Sequence, residues 1–168
     1  MLQPLRRSLS RVDSELLYAL RTRGHVAPLE RAMAMFSRTG EHSRIWLCAS
    51  AAGLFLHPEK RGLYLRLART VCAVEVANAL AKLVFRRPRP ALDGLPPLAP
   101  VRSGRSFPSA HAATSFAAAR VLARELPPVP AYAAAAVMAS SRAYLGVHYP
   151  SDVMGGIALG IAIAELSR

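Results

Sequence analysis

The chain has 168 residues, 52% of them hydrophobic, and a mean hydropathy of +0.23, which excludes a disordered chain and is enough for one domain with a sizeable core. Against that apolar background stand 22 Lys and Arg and only 10 Asp and Glu, a formal charge of +12. Such a balance suits nucleic acid, an anionic membrane surface or a phosphorylated ligand, and the placement of the charge decides among them.

The segment from Met1 to Arg11 lacks the uninterrupted apolar run and small-residue cleavage site of a secretory signal, so internal segments are expected to direct any membrane insertion. Residues 12–22 place Val12, Leu16, Leu17 and Leu20 at helical spacing opposite a charged face, with Asp13 available as a cap. Residues 28–37 repeat the pattern with Leu29, Ala32, Met33 and Phe36. Both read as amphipathic helices of an interfacial arm, residues 1–42, with arginines toward lipid head groups.

From residue 43 the character changes, and five apolar segments follow, at about 43–57, 63–85, 107–124, 130–145 and 151–166. Proline stands at nearly every start, as at helix N-termini. Several segments fall short of the ~20 apolar residues that cross a bilayer, and many are built from alanine. Alanine and glycine favour close helix packing in membranes, and Gly156-x-x-x-Gly160 fits a small-residue interface. The expected fold is therefore all-α, an integral membrane bundle of about five transmembrane helices over residues 43–168. A soluble helical bundle with an alanine-rich core is the competing architecture. Cys48 and Cys72 lie inside apolar stretches without metal-ligand spacing and are expected as buried thiols, with no disulfide and no zinc site.

In an antiparallel bundle, the end of the second segment, the start of the third, the end of the fourth and the start of the fifth share one face. There the sequence places Lys82 and Arg89, Ser109 and His111, Arg142, and then His148 and Asp152. Ionisable groups converging from four helix ends mark a functional site. Lys82, Arg89 and Arg142 supply fixed positive charge suited to phosphate oxygens. Ser109 and the free N–H groups opening the third segment extend an oxyanion cradle. His148, four residues before Asp152, is the candidate nucleophile, with the carboxylate holding one imidazole nitrogen. His111 is the candidate acid and base. Arg86 and Arg87 in the polar interval 86–106, which also holds Arg102 and Arg105, are expected to meet head groups or solvent. His25, His42 and His57 are expected as interfacial or capping residues, and Glu75 with Asn78 as an internal polar contact.

Lys82-x6-Arg89-Pro90, Pro108-Ser109-Ala110-His111 and Ser141-Arg142-x5-His148-x3-Asp152 resemble, in order, the three signature motifs of the type-2 phosphatidic acid phosphatase superfamily. Ala110 stands where that family usually has glycine, and its small side chain still lets the backbone approach a phosphate. The resemblance implies a metal-independent phosphatase of membrane lipids, without cofactor, multi-pass in the cell membrane and without a nucleic-acid partner. By the same resemblance Lys82, Arg89, Ser109, Ala110 and Arg142 bind phosphate, His111 is acid and base, and His148, held by Asp152, forms a phosphohistidine. The stretch Phe36 to Ser43 and the stretch Gly146 to Asp152 are similar to small actinobacterial members assigned to decaprenylphosphoryl-5-phosphoribose dephosphorylation. Undecaprenyl diphosphate, phosphatidylglycerol phosphate and phosphatidic acid stand as alternative substrates. A lipid-binding scaffold and a vanadium haloperoxidase are the readings from other classes.

Overall fold

The computed structural model describes residues 2–101 and 103–167. Arg102 lies outside the described residues, as do the side chains of Arg6 and Arg7. The described residues form an all-helical structure: α1 (Leu2–Thr22), α2 (Ala27–Thr39), α3 (Arg44–Leu56), α4 (Arg61–Phe85), α5 (Ala110–Leu122), α6 (Pro128–Tyr144) and α7 (Pro150–Leu166). Each of the five apolar segments is a helix. The third starts at Ala110 because Pro108 and the extended Ser109 (φ −73°, ψ 115°) precede its first turn. Prolines sit in the first turns of α2, α6 and α7, where a missing N–H costs nothing.

Helix α5 is the central element, packed against α3, α4, α6 and α7. Its alanines at 112, 113, 117, 118 and 119 are fully buried, and their small side chains let neighbouring backbones approach. The closest approach is that of α7. A Cβ added at Gly160 would meet the Ala113 carbonyl oxygen at 2.0 Å, and one at Gly156 would meet the Ser109 carbonyl oxygen at 2.4 Å. The expected small-residue interface is thus a backbone-to-backbone crossing. On the other side of α5, Leu63, Leu67, Val71 and Val74 of α4 form the main apolar core with Trp46 of α3, whose indole N–H donates to Ser115 Oγ at 2.9 Å.

The arm departs from expectation in its orientation. Helices α1 and α2 pack on α6, and α1 also touches α7. Of the four apolar positions on α1, only Leu17 is buried, while Val12, Leu16 and Leu20 are exposed. Asp13 is not a cap, because α1 begins well before it, and it is buried against the bundle. Arg21 also turns inward, donating to the Pro96 carbonyl at 2.8 Å rather than facing head groups. Cys48 and Cys72 are free and exposed on helix faces, contrary to the expectation of buried thiols. Among the described residues no helix is long and apolar enough to cross a membrane. At 1.5 Å per residue, the 17-residue α6 and α7 reach about 26 Å. The longer α4 carries Arg61, Arg66, Arg69, Glu75 and Lys82.

Filling the α5–α7 crossing forces the two backbones apart. Gly160→Leu is expected to cost about 1–3 kcal/mol by overpacking, read as a fall in Tm of purified protein. Gly62→Ala, where an added Cβ meets nothing within 4 Å, is expected to leave Tm unchanged or slightly higher.

Candidate active site

Four helix ends meet at one end of the bundle, as the antiparallel order requires. Two backbone hydrogen bonds fix their registration. Ser109 N–H, at the start of α5, donates to the Asp152 carbonyl in the first turn of α7 at 3.0 Å. His148 N–H donates to the Arg142 carbonyl at 3.3 Å, folding the α6–α7 connection back over the end of α6. The segment 86–109 closes the face: Ser106 N–H donates to the Arg87 carbonyl at 2.8 Å, and Pro88 and Arg105 form an isolated antiparallel bridge.

Within this frame lies a cavity of about 170 Å³, lined by Lys82, Arg89, Ala110, His111, Arg142 and His148 among others. Ser109, adjacent to Ala110, and Asp152, behind His148, are fully buried. All eight residues expected at the site are therefore gathered there. Arg89 Nη1 donates to His148 Nε2 at 3.2 Å, which marks Nε2 as the unprotonated nitrogen and leaves the ring proton on Nδ1. That Nδ1 stands 3.5 Å from Asp152 Oδ2, just outside hydrogen-bond contact, and has no other partner. The other side of the carboxylate is firmly held: Asp152 Oδ2 accepts the Tyr149 N–H at 2.9 Å, and Oδ1 accepts from Arg87 Nη1 at 2.8 Å.

Burial pushes the His148 imidazole well below its ordinary pKa of 6.5, with Arg89, Arg142 and Lys82 adding repulsion toward a second proton. A depressed pKa keeps the ring neutral down through mildly acidic pH, the state a nucleophile needs. Two donors beside it are buried without protein partners, Ser109 Oγ and Arg142 Nε. An unsatisfied buried donor carries a desolvation cost of about 1–3 kcal/mol.

The structure adds residues that the sequence does not announce. The end of α2 caps the site: His111 Nε2–H donates to the Ser37 carbonyl at 3.1 Å, and Arg142 Nη1 donates to the Ser37 hydroxyl. A Cβ at Gly40 would stand 2.7 Å from both His111 Cδ2 and Met138 Sδ, so the ring is sandwiched from this side. Glu41 and His42 line the cavity, and His42 adopts a left-handed φ of 52° at the corner into α3, inside the site and not at an interface. His25 is a capping residue, donating Nε2–H to the Leu20 carbonyl at 2.8 Å and stacking on Tyr144 with ring centroids 4.1 Å apart. Glu75 accepts from Ser43, and Asn78 donates to the Pro108 carbonyl at 3.1 Å, the expected internal polar contacts. Arg87 departs from expectation, since its guanidinium bonds Asp13 and Asp152 and its side chain is only 25% exposed. Only proximity in three dimensions could reveal the partners of Asp13 and Ser37, because those contacts span 74 or more residues.

Residues 63–167 match the model of the PAP2 superfamily. The chain belongs to the PAP2 superfamily. Its fold is shared with solved members, and it is a phosphoric monoester hydrolase. It is 41% identical over 139 residues to decaprenylphosphoryl-5-phosphoribose phosphatase of Mycolicibacterium smegmatis, covering 82% of this chain and 75% of that protein. It is 36% identical over 131 residues to the protein of the same name from Mycobacterium tuberculosis, covering 77% and 73%. Among solved structures, Aquifex aeolicus LpxE superposes with a TM-score of 0.78 at 25% identity, covering 91% of this chain and 92% of that one. A transmembrane PAP2 type phosphatidylglycerolphosphate phosphatase from Bacillus subtilis shares the fold, with a TM-score of 0.76 at 24% identity over 95% and 84% of the chains.

The electrostatics predict that a ¹⁵N titration of the histidine rings finds His148 neutral and protonated on Nδ1 at pH 6. A midpoint at or above its ordinary value of 6.5 contradicts the burial argument.

Proposed function

We propose that the protein is a membrane phosphatase that hydrolyses the phosphomonoester of a polyprenyl-linked substrate, decaprenylphosphoryl-5-phosphoribose in kind, through a phosphohistidine on His148. The observation that carries this is the convergence of Lys82, Arg89 and Arg142, with the unpartnered donors Ser109 Oγ and Arg142 Nε, on a neutral His148 whose Nε2 lone pair is free of a proton. The relatives' names support the substrate, with 41% identity to one of them over 82% of this chain.

In this reading the cations and Ser109 bind the phosphoryl oxygens, and Arg89 passes its contact from His148 Nε2 to the substrate. Nε2 attacks phosphorus in line; the N–P bond forms as the P–O bond to the lipid breaks, and His111 gives that oxygen a proton. His148, now carrying phosphate, holds a positive ring stabilised by Asp152. His111 then removes a proton from water, the water oxygen attacks phosphorus, and the N–P bond returns its pair to His148 as inorganic phosphate leaves. The three cations meet charge on the equatorial oxygens in both steps. The Ser37 carbonyl holds one ring nitrogen of His111 as a donor, which leaves the other to exchange the proton. No group of three His, Cys, Asp or Glu able to hold a metal stands among the described residues. The cycle balances with His111 entering it as the imidazolium, its Nε2–H on the Ser37 carbonyl and its Nδ1 proton passed to the leaving oxygen and regained from water.

The membrane placement rests on outward-facing apolar side chains. Phe55 is 85% exposed, Val84 76% and Leu166 86%, and Val76, Leu80, Phe85 and Met154 add to the same outer surface of α3, α4 and α7. Water disfavours such a surface, and lipid covers it. Helices α3 to α7 form the embedded bundle, with α5 shielded at its centre, and residues 1–42 lie as an arm at the interface beside the motif face.

Purified protein in detergent or nanodiscs is expected to release phosphate from decaprenylphosphoryl-5-phosphoribose faster than from undecaprenyl diphosphate, phosphatidylglycerol phosphate or phosphatidic acid, with EDTA present. His148→Ala is expected to abolish release, and His111→Gln to slow it by about 10²–10⁴-fold. Release that survives in folded His148→Ala defeats the proposed nucleophile, and a preference for a glycerophospholipid phosphate defeats the substrate.

A further inference from the structure

Arg87 is a cation near the site that the phosphate chemistry leaves unused. It does not line the cavity with Lys82, Arg89 and Arg142; it stands on the far side of Asp152. Its guanidinium is fixed from three directions. Nη1 donates to Asp152 Oδ1 at 2.8 Å and to Ser151 Oγ at 2.6 Å, Nη2 donates to Asp13 Oδ2 at 2.6 Å, and the plane lies over the Tyr149 ring with 4.2 Å from Cζ to the centroid. Asp13, from the middle of α1, is buried, and its Oδ1 also accepts the Ser151 N–H at 3.0 Å. A helix 138 residues upstream thus grips the first turn of α7 and the arginine beside it.

The consequence follows from what Asp152 must do. Its side chain is fully buried, and its Oδ2 must stay aimed at His148 Nδ1 for the imidazole to present Nε2 to phosphorus. Without Arg87 the carboxylate keeps the Tyr149 N–H and the Ser106 hydroxyl and is freer to rotate about its Cβ–Cγ bond. Arg87 pins the second oxygen, and Asp13 pins Arg87. We infer that Arg87 and Asp13 are positioning residues for the Asp152–His148 pair, so that the N-terminal helix is a working part of the active site. The inference rests on the reading of His148 as nucleophile.

Removing this support is expected to slow chemistry without weakening phosphate binding. Outer partners that orient a catalytic or ligating histidine are commonly worth about 10–100-fold, and Arg87→Gln is expected to lower kcat by that factor. KM and competitive inhibition by inorganic phosphate are expected to change less than about twofold, because the cradle is untouched. Asp13→Asn is expected to give a smaller fall in kcat, Asp13→Glu to recover most of it, and the double variant Asp13→Asn/Arg87→Gln to be no slower than Arg87→Gln alone, as for groups acting through one another.

His148→Ala is measured alongside. If it retains turnover, the nucleophile reading itself fails. If it is inactive while folded Arg87→Gln keeps the kcat of the parent, only the positioning role fails. A rise in KM with kcat unchanged, or additive losses in the double variant, also overturns the inference. Thermal unfolding of each variant separates the outcomes, since activity that falls only in proportion to unfolded protein speaks for a structural role. Arg87→Lys, which keeps the charge but not the fork, is expected to fold and still lose most of the kcat effect attributed to Arg87.

Discussion

The site depends on one close crossing, that of α7 over α5. With hydrogen alone at Gly156 and Gly160, the backbone of α7 comes against the carbonyls of Ser109 and Ala113. That contact sets the Ser109 N–H on the Asp152 carbonyl and so fixes the distance between the helix carrying His111 and the turn carrying His148. A side chain at either glycine would separate the acid from the nucleophile. The alanines of α5 serve the same end on its other faces, and at the far end of the same pair Glu165 bonds Arg120, so the helices are tied at both ends. A core made of small residues gives up burial per residue, and it gains backbone proximity where the chemistry is.

Upon this frame the charge is arranged in two layers around a neutral ring. The inner layer, Lys82, Arg89 and Arg142, faces the cavity and repels a second proton from His148. The outer layer, Asp152, Arg87 and Asp13, alternates in sign and is internally paired. Buried unpaired charge is costly, and Glu41 and Glu75 line the same cavity as the three cations. This divides the chain's excess of arginine into groups that bind, groups that orient and groups on the surface, and nucleic acid is not required to explain the basic composition.

The motif face was legible in the sequence because its residues lie at helix ends with fixed short spacings. His148 and Asp152 are one turn apart on paper as in space, and an up-and-down helix order alone brings Lys82, His111 and Arg142 beside them. What was not legible comes from the arm. Asp13 reads as a helix cap and Arg21 as a head-group contact because local pattern shows polarity and not direction. Both point inward to partners that tertiary packing supplies. Ser37 acts partly through its carbonyl, which no side-chain pattern encodes. Cys48 and Cys72 illustrate the converse: an apolar neighbourhood in sequence does not bury a thiol on the outer faces of this bundle, where apolar residues point outward.

The central claim is that phosphorus undergoes two successive in-line displacements, first by His148 and then by water. Each inverts configuration at phosphorus. The direct measurement is the stereochemical course of hydrolysis, using a substrate whose phosphate is made chiral with oxygen isotopes and trapping the released phosphoryl group by transfer to an alcohol or as chiral thiophosphate. The account predicts overall retention; inversion would show a single direct attack by water and contradict it.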